Sequence, residues 1–131
     1  MKVIVAIDSL KGSLSSLQAG AAAKAGILRA IPAATVSIKP VADGGEGTVT
    51  ALVSGLSGRS VTIAVSGPLG ETVEAAYGIL PDHTAVIEMA EAAGLPLVPA
   101  EKRNPMNTTT YGVGEMILHA LDEGCRNFII G

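Results

Sequence analysis

Val3-Ile4-Val5-Ala6-Ile7-Asp8-Ser9 decides the fold class. Five apolar residues, mostly β-branched, run without a break and stop at a charge. Such a run reads as a strand buried on both faces, as strands of a parallel sheet are. It is too short for the apolar region of a secretion signal. A helix follows it. Ser15-Ser16-Leu17-Gln18 has the capping-box pattern, with Ser15 as N-cap and Gln18 three residues on. Leu14, Leu17, Ala21, Ala25 and Leu28 step by three and four, which predicts one buried helical face. Pro32 ends the helix. Gly20 and Gly26 weaken it unless they permit close packing.

Working outward, residues 35–39 alternate as a second strand, and a short helix is expected over 49–54, ended by Gly55 and Gly58. Residues 60–66 and 72–80 alternate on either side of Gly67-Pro68-Leu69-Gly70, which predicts a hairpin. Residues 84–89 read as a further strand and 90–93 as a single helical turn stopped by Gly94. The proline-rich stretch 96–110 reads as a loop. Thr109 or Thr110 caps the next helix, whose stripe is Val113, Met116, Ile117, Ala120 and Leu121, with Gly124 as its stop. Residues 127–130 begin one more buried strand. The order predicts an α/β protein, a mostly parallel sheet with flanking helices plus an antiparallel β-rich insertion.

At 131 residues the chain has the length of one ordinary domain, and 48% hydrophobic residues suffice for a packed core. That core must be aliphatic, because Tyr77, Tyr111 and Phe128 are the only aromatic residues. The net charge is −3, and no basic cluster or aromatic platform for a nucleic acid is present. A single cysteine, Cys125, can form no internal disulfide and fits a reducing compartment. No uncharged apolar run has the length of a membrane span. A cytoplasmic location, with no membrane and no nucleic-acid partner, is therefore expected.

Neither the P-loop pattern nor a complete Gly-x-Gly-x-x-Gly is present. Two strand-to-helix loops carry the chemistry instead. Asp8-Ser9-Leu10-Lys11-Gly12-Ser13 offers a point charge at Lys11 and hydroxyl donors near a helix start. Its plain alternative is a strand-end turn with Lys11 in solvent. Val41-Ala42-Asp43-Gly44-Gly45-Glu46-Gly47-Thr48 sets two carboxylates among three glycines. Carboxylates at such a turn can hold a divalent cation or accept a proton. Equally, Asp43 as N-cap with Glu46 three residues on resembles a capping box that needs no ligand. Arg103 can clamp a carboxylate, although Arg103-Asn104-Pro105 and Thr108-Thr109-Thr110 also read as a polar surface loop. Glu88 ends a strand and can face the same cleft. His83 and His119 have no partner readable from sequence.

Asp8-Ser9-Leu10-Lys11-Gly12-Ser13-Leu14-Ser15, Val41 to Thr48, Ser66-Gly67-Pro68-Leu69-Gly70, Ile87-Glu88-Met89-Ala90 and Arg103-Asn104-Pro105 together resemble bacterial glycerate kinases. Tyr111-Gly112-Val113-Gly114-Glu115 is similar to a helix start of that family. The resemblance runs in order along the whole chain. Family members usually carry Pro where this chain has Ile7 and an aromatic residue where it has Leu10; the polar positions are intact. The resemblance implies ATP-dependent phosphorylation of D-glycerate with magnesium, in a two-domain α/β fold with the site between the domains. It also implies that the chain is an N-terminal portion, since family members are considerably longer. Residues 1–66 would be the first α/β part and 67–131 the start of the second, and a truncated sheet would expose apolar surface for self-association.

On this resemblance, Asp43 accepts the substrate hydroxyl proton or binds magnesium, and Glu46 supports the cation. Lys11 neutralises a phosphate or the glycerate carboxylate. Asp8, Ser9, Ser13, Gly44, Gly45, Gly47 and Thr48 line the substrate and phosphate site, and Arg103 captures a carboxylate. The alternatives are a catalytically inactive fragment or an anion-binding α/β module.

Overall fold

The computed structural model describes residues 1–10 and 13–131. Lys11 and Gly12 lie outside the described residues. Among the described residues, six strands form two sheets. The first pairs β1 (Lys2–Ile7) with β2 (Thr35–Pro40) in parallel, from Lys2 opposite Thr35 to Ile7 opposite Pro40. Between them runs α1 (Ser16–Ala30). The second has the order β3 (Arg59–Ser66), β4 (Thr72–Ile79), β5 (Thr84–Ile87), β6 (Asn127–Ile130). β3 and β4 are the predicted antiparallel hairpin, β5 is antiparallel to β4, and β6 is parallel to β5. The fold is thus α/β with parallel pairs and an antiparallel element. The passage between sheets falls between Leu56 and Arg59, so β3, which ends at residue 66, hydrogen-bonds into the second sheet.

α2 (Thr48–Leu56) lies between the sheets and packs on β2, β4 and β5. α3 (Met89–Ala93) and α4 (Tyr111–Asp122) cover the opposite face of the second sheet. Period-two alternation in β5 makes this double packing possible. Ala85 and Ile87 face Tyr77, Met116 and Ala92, while Val86 faces Val49 and Leu80 under α2. The stripe of α4 is as predicted at Val113, Met116 and Ala120, which are buried, while Leu121 is exposed. Tyr77, fully buried, closes its polar end with His119: its hydroxyl lies 2.8 Å from Nδ1, ring edge against ring face. That partner lies forty-two residues away along the chain and could not be read from sequence. Burial, with the nearby Glu123 carboxylate, raises the Tyr77 phenol above its ordinary value, and burial raises the Cys125 thiol likewise.

Three expectations of burial are corrected. β1 is not buried on both faces: Val3, Val5 and Ile7 are half-buried, whereas Ile4 and Ala6 are exposed. It pairs with β2 alone, and α1 covers one side of the pair. β6 is an edge strand with Ile129 and Ile130 exposed, because it pairs with β5 alone. In α1 the capping box at Ser15 and Gln18 forms with both bonds, at 3.2 and 2.9 Å. The buried face, however, is Ala19 and Gly20 with Ala23, Ile27 and the predicted Leu28 half-buried beside them, whereas Ala21 and Ala25 are exposed and Leu14 and Leu17 are exposed at the cleft between the loops. Close approach selects the small-residue face: a Cβ on Gly20 would stand 2.6 Å from Ile38 Cγ2.

Candidate active site

The carboxyl ends of the parallel strands converge on one cleft of about 530 Å3. β1 contributes Asp8 and Ser9, β2 contributes Pro40 and Val41, and β5 contributes Glu88. This is where ligands bind in open α/β sheets. The turn after β1 is built by its own polar groups. Asp8 Oδ1 accepts the Ser9 amide at 2.7 Å, and Leu10 bridges to Leu14 by bonds of 2.8 and 3.2 Å. Ser16 at the start of α1 donates its hydroxyl to the Ile7 carbonyl at 2.6 Å, tying helix to strand end. Ser13 also lines the cleft. Ser9 Oγ is buried there with no hydrogen-bond partner among the described residues.

The acidic glycine loop is not a capping box. α2 starts at Thr48, its N-cap is Gly47 at φ +92°, and no side chain caps it from that position. Gly44, at φ +104°, is also left-handed. A residue with Cβ at either position would be strained. Asp43 turns back within the loop, where Oδ1 accepts the Gly45 amide at 3.2 Å. Thr48 Oγ1 donates to the Gly45 carbonyl at 2.7 Å. Glu46 and Gly47 line the cleft itself; Asp43, Gly44, Gly45 and Thr48 belong to the same loop but are not among the lining residues. Gly131 fits against this loop: a Cβ there would overlap the Gly44 carbonyl oxygen.

Sequence reasoning placed Glu88 near the cleft without giving it a role. Glu88 is 5% exposed, lines the cleft, and accepts the Val49 amide at 2.7 Å. Glu91 joins it, its Oε2 accepting the Ala76 amide of β4 at 3.1 Å beyond the end of β5. Four carboxylates, of Asp8, Glu46, Glu88 and Glu91, therefore line the cleft, with no Lys, Arg or His among the described lining residues. Lys11, the expected cation, lies outside the described residues. Arg103 lines a separate pocket of about 630 Å3 with Asn104 and Thr108 to Thr110, and its Nε donates to the Val98 carbonyl at 3.1 Å. The structure does not bring it to the first cleft. Both expected threonines stand at the start of α4: Thr110 occupies the N-cap position, and Thr109 Oγ1 accepts the Tyr111 amide.

No group of three or more His, Cys, Asp or Glu side chains able to hold a metal occurs among the described residues. No described helix is long and apolar enough to cross a membrane. The chain is 54% identical to the glycerate kinase of Bacillus subtilis (strain 168) and 51% identical to the glycerate 2-kinase of Escherichia coli (strain K12). Each match takes in all of this chain and 35% of the relative. A crystal structure of a candidate glycerate kinase 2 from Salmonella typhimurium LT2 superposes with a TM-score of 0.84 at 48% identity, over 100% of this chain and 35% of that one. The chain thus spans about a third of the length of the relatives it matches. With both strand-end loops in place and the model of the glycerate kinase family matching residues 3–131, the chain belongs to that family.

Proposed function

We propose that this chain supplies the N-terminal loops of an ATP-dependent glycerate kinase, which transfers the γ-phosphoryl group to a hydroxyl of D-glycerate. The observation that carries this reading is that Asp8, Ser9, Leu10 and Ser13 share one cleft with Glu46 and Gly47 of the acidic glycine loop. Phosphoryl transfer is mostly positioning and charge neutralisation. Asp43 accepts the proton of the attacking hydroxyl, or holds magnesium with Glu46. Two carboxylates on a glycine turn suit Mg2+, which keeps several waters and takes the remaining ligands from phosphate oxygens. Magnesium would neutralise phosphate charge in a cleft whose charged side chains, among the described residues, are all acidic. Asp8 orders the first loop through the Ser9 amide. Ser9, Ser13, Thr48 and the amides of Gly44, Gly45 and Gly47 supply donors. Lys11 neutralises phosphate or carboxylate, and Arg103 serves as a carboxylate clamp only if substrate reaches its separate pocket. The division into a first part, residues 1–66, and a second from 67, and a cytoplasmic location, belong to the same reading.

The test is glycerate-dependent ADP release by the protein carrying this chain, with and without Asp43→Asn. A proton acceptor contributes roughly 10²–10⁴-fold to the rate, and a loss of that size is expected. Near-normal turnover would remove both roles from Asp43. Exposed Ile4, Leu17 and Ile130 favour a second reading for the 131-residue chain by itself: it self-associates and catalyses nothing. Turnover by that chain alone would refute it.

A further inference from the structure

We propose that Glu88 is a positioning residue that sets the acidic glycine loop by capping α2 from just beyond the end of β5. Its consequence for catalysis rests on the kinase reading; its consequence for the loop does not. α2 begins without a side-chain cap, because its N-cap is Gly47. The Thr48 amide and hydroxyl both turn back to the Gly45 carbonyl, at 3.2 and 2.7 Å. The first bond along the helix runs from the Ala51 amide to the Gly47 carbonyl at 2.9 Å. The Val49 amide therefore has no acceptor within its own turn. Glu88 Oε1 supplies one from thirty-nine residues away, and a carboxylate suits the positive end of a helix. Val49 is buried, so losing that acceptor would strand an amide away from water.

A second contact fixes the other end of the loop on the same strand end. The Gly44 carbonyl packs on Gly131. Gly131 in turn donates to the Ile87 carbonyl at 2.9 Å and accepts the Met89 amide at 2.8 Å. Residues 87 to 89 thus bond Gly131, which lies close against Gly44, and bond Val49 through Glu88. Glu46 lies between these two contacts, and Asp43 immediately precedes the first of them.

Amide hydrogen exchange and resonance positions in the 131-residue chain test this. In the unsubstituted chain the Val49 amide should exchange slowly. Glu88→Ala should speed that exchange at least tenfold, the scale of a lost charge-assisted bond. It should also move the Gly44, Gly45 and Gly47 amides while those of Ala75 and Met116 stay in place. Glu88→Gln, whose amide oxygen can accept the same bond, should restore slow exchange and the loop positions. Unmoved glycine amides in Glu88→Ala, or a fast Val49 amide in the unsubstituted chain, would overturn the proposal. If Glu88→Ala does not fold, Glu88→Gln decides: loop amides displaced with Val49 still protected would overturn it. In the protein that phosphorylates glycerate, Glu88→Ala should lower kcat at least tenfold more than it changes the KM for ATP, with rescue by Glu88→Gln. Absence of turnover in the unsubstituted protein removes the kinase reading, while the amide measurement still judges Glu88.

Discussion

The two sheets use similar residues to opposite ends. Ile4 in β1 is 70% exposed, while Tyr77 and Ile87 in β4 and β5 are fully buried. The second sheet is packed on both faces, by α2 on one side and by α3 and α4 on the other. The first sheet is a strand pair with α1 and α2 against it. Yet the first sheet carries both loops expected to bind ligand. The tighter packing is in one sheet and both ligand-loop candidates are on the other, and α2 with Glu88 joins them.

Truncation should break this contrast if it is wrong. Tyr77→Ala should cost roughly 3–5 kcal/mol, whereas Ile4→Ala should stay within about 0.5 kcal/mol, both read from urea unfolding of the 131-residue chain. Equal losses would mean that β1 is as buried as β4. A finer comparison lies in the caps. Ser15→Ala removes the side-chain bond that starts α1 and should cost about 1 kcal/mol, seen as a lower urea midpoint. Little change would show that α1 is held by its small-residue face alone.

The smallest effect concerns pH and sharpens the picture of the second core. Burial raises the Tyr77 phenol, so the folded chain keeps it neutral where the unfolded chain ionises it, near pH 10. Stability is present below that value and is lost as pH rises from it through the folded value. Cys125 acts in the same direction. Tyr77→Phe should flatten the decline in urea midpoint as pH rises above about 10. An unchanged slope would assign the alkaline loss to other groups.

Local patterns were legible in the sequence: the capping box at Ser15, the Gly67–Gly70 hairpin turn, the α4 stripe and the strand positions. Each depends on neighbours within a few residues. Burial was less legible, since whether Ile4 or Ile130 is covered depends on which elements lie across from it. The α1 face was misread because Leu17 outweighs Gly20 in any apolar count, whereas packing on Ile38 rewards the absence of a side chain. The site was half legible. Two glycine-bearing loops with carboxylates could be found by composition, and the family resemblance joined them. The grip of Glu88 on Val49 could not, because thirty-nine residues separate donor from acceptor.

Gly131 carries one more consequence. It has no side chain with which to touch a ligand, yet any side chain there would press on the Gly44 carbonyl. In a saturation scan scored by activity, position 131 should therefore behave like part of the acidic loop. A map drawn from such scores would place a functional residue at a strand end, where the selected property is empty space.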